Sequence, residues 1–123
     1  MAKKTVFMPK KLFDKWIRAL RGEGRKKFKQ GDNALVKTYA DGEARYCCLG
    51  VLEAVADGKV EDRSLPSLEW LENHNVLFVG GDGITDNDPA LGKSTAADMN
   101  DDGKSFRQIA TALKRAYGGP IKE

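Results

Sequence analysis

Leu12, Phe13, Trp16, Ile17 and Leu20 recur at helical spacing, with Lys10, Lys11, Lys15, Arg18 and Arg21 filling the remaining surface. That stripe predicts an amphipathic helix over about 9–21. Pro9 suits its first turn and Gly22 its stop. Phe106, Ile109, Ala110 and Leu113 repeat the pattern near the other end of the chain. Ser105 and Gln108 supply a capping box for that second helix, and Gly118-Gly119-Pro120 ends it. Between the helices the period changes. The stretches 34–39 and 43–48 flank Asp41-Gly42, which predicts a β-hairpin with a two-residue type I′ turn. Leu49 to Asp57 reads as a small helix ended by Gly58. Ser64-Leu65-Pro66-Ser67 opens another, with Leu65, Leu68 and Leu71 on one side and Trp70 nearby. Asn75 to Val79 reads as a short buried strand closed by Gly80-Gly81.

The expected fold is therefore α+β, one domain over residues 1–123. A small, mainly antiparallel sheet containing the hairpin is covered on one side by the terminal helices, with the 49–57 and 65–73 helices at its end. The expected core is Phe13, Trp16, Ile17, Leu20, Leu35, Cys48, Leu49, Leu52, Phe106, Ile109 and Leu113. Residues 1–8 read as a flexible basic tail. Residues 80–103 read as a long Gly/Asp-rich loop, of a length that is usually functional or mobile.

Composition adds a boundary and an asymmetry. Hydrophobic residues make up 41% of the 123 positions and charged residues 32%, which is ordinary for a soluble globular chain. No apolar run approaches the roughly 18 residues that a membrane span needs, and no apolar h-region follows the early lysines. The two cysteines are adjacent and cannot close a stabilising long loop, which favours a reducing compartment. Eleven of the 21 basic residues lie in the first 30 positions, against two of the 18 acidic ones. Such a division marks a surface suited to phosphates or an acidic partner. Its cations are Lys11, Lys15 and Arg18 on the first helix, then Arg25, Lys26, Lys27 and Lys29 around Phe28 in a segment that reads as a mobile loop.

Several motifs come close to chemistry. Tyr46-Cys47-Cys48-Leu49-Gly50-Val51-Leu52 delivers two thiols from a strand to a helix N-terminus, where a thiolate is stabilised. With His74, the single histidine, as base, Cys47 or Cys48 could serve a cysteine hydrolase. The competing reading is a buried apolar block in which Gly50 permits close packing. Two adjacent thiols and one histidine do not make a zinc site. Asp98 to Gly103 matches the start of an EF-hand loop, but Ile109 stands where the bidentate glutamate belongs. Asn87 to Ser94 matches a phosphate-binding loop except at its first position, leaving Lys93 and Ser94 as possible anion contacts. No metal and no cofactor is expected.

Trp16, Ala19, Leu20 and Gly22, the Tyr46–Leu52 block, and Asn100-Asp101-x-Gly103-Lys104-Ser105-Phe106-x-x-Ile109-Ala110 together resemble a family of small proteins of tailed bacteriophages and prophages. The resemblance covers both ends and the hairpin. It implies a setting, the cytoplasm of a bacterial host, rather than a mechanism. Small accessory proteins of that kind act by binding a host component. One departure is Glu53, where the family pattern implies a third cysteine nearby. Three function classes follow. The first is a non-enzymatic binding protein for nucleic acid or an acidic protein. The second sequesters a small anionic nucleotide in an anti-defence role, with residues 80–103 as lid and Lys93 or Lys104 on phosphate. The third is the cysteine hydrolase.

Overall fold

The computed structural model describes residues 6–24, 27–31, 34–63, 66–78 and 104–121. In chain order these form β1 (Val6–Phe7), α1 (Lys10–Leu20), β2 (Val36–Thr38), β3 (Ala44–Tyr46) and α2 (Cys48–Asp57). There follow α3 (Leu68–Asn73), β4 (Leu77–Phe78), α4 (Phe106–Ala116) and β5 (Tyr117–Gly119). The class is α+β, as the hydrophobic pattern predicts. All eleven expected core residues are buried.

α1 forms because its apolar stripe has somewhere to go. Trp16 is fully buried, and its Nε1 donates to Cys48 O at 2.8 Å, which ties α1 to the first residue of α2. Phe13 stacks on Tyr117 at 3.9 Å, and Trp16 meets Phe78 edge-on at 6.2 Å, so one aromatic cluster joins α1 to β4 and β5. α4 starts as its sequence signals. Gln108 N donates to Ser105 Oγ at 3.1 Å, and Ser105 N donates to Gln108 Oε1 at 2.9 Å. Ser105→Ala is expected to lower stability by about 1 kcal/mol, read as a shift in urea midpoint without a change in slope.

Strand pairing is mainly antiparallel, as expected, but the placement of the elements differs from expectation. The strands form two sheets rather than one: a three-stranded sheet in the order β4-β1-β5, and the separate hairpin β2-β3. The hairpin is antiparallel, as is β1 with β4, but β1 runs parallel to β5. Residues 6–8 are not a tail. Val6 and Met8 are fully buried, and β1 is the middle strand. α2 packs chiefly along α1 and also touches β3. Strands of two and three residues are too short to show alternation, so their partners, distant in sequence, decide where they lie.

Two local details are corrected as well. The hairpin loop has three residues, not two. Gly42 N donates to Tyr39 O at 2.8 Å and Tyr39 N to Glu43 O at 3.0 Å, with Gly42 at φ 82°. Asp41 is not left-handed, so the turn is not type I′ but a tight turn closed by a left-handed glycine. Asp41 Oδ1 accepts Glu43 N at 2.9 Å and stabilises that alternative. On α3, Leu71 is buried as expected, together with Trp70, whereas Leu68 is 71% exposed, so the buried face is rotated to take Trp70 in place of Leu68. Leu65 lies outside the described residues, as does the 80–103 segment, with the Asp98–Gly103 and Asn87–Ser94 near-matches in it. Among the described residues no helix is long and apolar enough to cross a membrane.

Candidate anion-binding groove

Lys11, Lys15 and Arg18 stand at i, i+4 and i+7 of α1, one exposed row beside the buried stripe. α2 packs along this helix and presents small apolar side chains next to the row. The result is a groove of about 700 Å³ with Lys11, Lys15 and Arg18 on one wall, Ala54 and Val55 on the other, and Ala19 and Phe28 contributing apolar surface. A smaller cleft of about 250 Å³ continues it past Lys11, Lys15 and Val55 to Leu12, Ala56 and His74. No ion pair engages Lys11, Lys15 or Arg18 among the described residues. Asp14, the one acid among the described residues that line the groove, is paired with Lys10 at 3.1 Å.

The rest of the expected cationic cluster is placed differently. The 27–31 segment is hydrogen-bonded to the hairpin. Tyr46 N donates to Lys29 O and Gly31 N to Tyr46 O, both at 2.8 Å, which stitches it along β3. Lys27 Nζ donates to Gly22 O, and Lys29 is paired with Glu43, so both ammonium groups are already engaged. Phe28 meets Tyr46 edge-on at 5.0 Å, which anchors one end of the groove. Arg25, Lys26 and Lys93 lie outside the described residues.

The thiols and the histidine are held apart. Cys47 caps α2, its Sγ accepting Gly50 N at 3.4 Å, and both cysteines are buried thiols. His74 stacks on Trp70 at 4.1 Å and donates from Nδ1 to Trp70 O at 2.8 Å. Its Nε2 lies 3.4 Å from Asp57 Oδ2, at the far end of α2. Cys48 and Asp57 are nine residues apart on that helix, so about 13 Å separates the thiol end from the imidazole end. A base must lie within hydrogen-bond reach of its nucleophile, and this geometry does not provide it. The described residues also contain no group of three or more His, Cys, Asp or Glu that would hold a metal.

One titratable residue escaped notice as a candidate. Glu53 is fully buried on α2, and burial, reinforced by the neighbouring Glu61 and Asp57 charges, pushes its carboxyl up to about 7. The signal was its position four residues after Leu49, on the buried face of an apolar run, with Glu61 eight residues on. No family model, curated protein or solved structure matches the chain, so its chemistry rests on this geometry alone.

Proposed function

We propose that this is a non-enzymatic binding protein whose α1–α2 groove takes single-stranded nucleic acid, with phosphates along Lys11, Lys15 and Arg18 and bases against the apolar floor. The observation that carries the reading is the row of three cations, without an ion pair among the described residues, beside apolar surface. A charge row along a backbone track with apolar or aromatic surface for the bases is the general means of holding a single strand without reading its sequence. The bacteriophage resemblance supplies the setting, a host cytoplasm in which the bound nucleic acid belongs to the host.

Anisotropy titration of labelled single-stranded oligonucleotides at two salt concentrations tests the reading. Three phosphate contacts imply a slope of log affinity against log salt of about −2, hence roughly a twentyfold loss between 50 and 200 mM salt. Replacing Lys11, Lys15 and Arg18 together by Gln is expected to abolish both binding and slope without changing the unfolding midpoint. Binding that ignores salt, or an unchanged triple variant, overturns it.

The groove volume favours one further reading, capture of a small anionic nucleotide, because about 700 Å³ lies within the range of small-molecule sites. Thermal shift against a nucleotide panel distinguishes the two. A ligand at 100 times its dissociation constant adds about 2.7 kcal/mol, whereas a flat panel leaves the polymer as the ligand.

A further inference from the structure

The chain leaving α2 is tied back to that helix through carboxyl groups. Glu53 Oε1 accepts Glu61 N at 2.8 Å. Glu61 in turn accepts Ser67 N at 2.9 Å and the Ser67 hydroxyl at 2.7 Å. Ser67 caps α3, its Oγ accepting Trp70 N at 3.1 Å. One buried acid thus holds a connecting segment, and that segment holds the cap of the next helix.

The arrangement has a defect that a proton repairs. Glu53 is fully buried, and its Oε2 has no hydrogen-bond partner among the described residues. An orphaned buried acceptor is costly, and a second carboxylate within reach makes ionisation costlier still. A proton on Glu53 turns the orphan acceptor into a donor facing Glu61, whose side chain lies within hydrogen-bonding reach. We propose that a proton held between Glu53 and Glu61 fastens the Gly58–Arg63 segment to α2, and that its loss loosens this segment and the α3 cap together.

The surrounding charges agree with that assignment. Glu61 and Asp57 face Glu53 with the same sign. His74, the C-cap of α3, lies against Asp57, and Arg63 acts on Glu61. The α1 cations Lys11, Lys15 and Arg18 face the groove beside Ala54 and Val55. For Glu61, partial burial works upward but is outweighed by the Ser67 hydrogen bonds, which hold it below the ordinary range. The proton therefore resides on Glu53, which keeps it up to about pH 7, against an ordinary value of 4.5. Between those values the folded chain binds more protons than the unfolded one. The stabilisation is complete below 4.5 and is lost as pH rises through about 7.

Urea unfolding at pH 5 and pH 8 reads the effect. The folded-to-unfolded ratio of the wild type is expected to fall on the order of 50-fold between them. Glu53→Gln, whose amide carries a donor in place of the proton, is expected to lose most of that dependence and to exceed the wild type at pH 8. Carbon-13 NMR of the Glu53 carboxyl supplies a second measurement, with an expected midpoint near 7 shared by the amide shifts of Glu61 and Ser67. A carboxyl titrating near 4.5, amides that do not follow it, or a Glu53→Gln protein that tracks the wild type overturns the proposal. If Glu53→Gln does not fold, the wild-type carbon titration decides alone.

Discussion

Gly50→Ala is expected to destabilise the domain by about 3 kcal/mol or more, even though alanine is the better helix former. A β-carbon at this position would stand 1.8 Å from Leu35 O and 2.7 Å from Leu35 C. Both are backbone atoms, so no rotamer change relieves the overlap. The helix and the segment leading into β2 must separate. Leu35 O also accepts Cys47 N at 3.3 Å, so that separation pulls on the hydrogen bond at the start of α2. Removing a glycine from a helix interior returns only about 1 kcal/mol, and the steric term wins. Urea unfolding followed by circular dichroism gives the answer. An alanine variant as stable as the wild type would mean that α2 does not lie against the Leu35 carbonyl.

Trp16→Ala is expected to cost about 3–5 kcal/mol, a large share of the 5–15 kcal/mol typical of a domain. The indole is fully buried between Phe13 and Phe78, and its removal also deprives Cys48 O of the donor at 2.8 Å. Trp16→Phe separates the two contributions, because it keeps most of the packing and drops the hydrogen bond. Its cost is expected near 1–2 kcal/mol. A phenylalanine variant as unstable as the alanine one would make the indole N–H, not the ring, the main contributor.

Legibility followed element length. α1 and α4 each carry several apolar residues on one face, and their boundaries could be read from Pro9, Gly22 and the Ser105–Gln108 box. The hairpin was legible from Asp41-Gly42, although Asp41 chose a side-chain bond to Glu43 N over the left-handed conformation that a type I′ turn requires. β1 and β5 were not legible. Val6-Phe7 is two residues long, and Tyr117-Gly118-Gly119 has the composition of a helix stop. Half of the groove was visible in advance, as the Lys11, Lys15 and Arg18 row. Its other wall, Ala54 and Val55, has no signature of its own and exists because α2 packs beside α1. Glu53 was hidden for a similar reason, since what distinguishes it is burial and not residue type.

The middle strand of the three-stranded sheet has consequences for how the chain reaches its fold. Val6 pairs with Tyr117, Phe7 with Gly119, and Tyr117 donates from its hydroxyl to Met8 O across 109 positions of sequence. Closing a loop of that length costs entropy before any contact repays it. On the ribosome, α1, the hairpin and α2 can associate through contacts closer in sequence, but β1 cannot pair with its parallel partner until residues 117–119 have been made. The three-stranded sheet is therefore complete only when two segments far apart in sequence have met. Contacts of such high order slow a domain's folding.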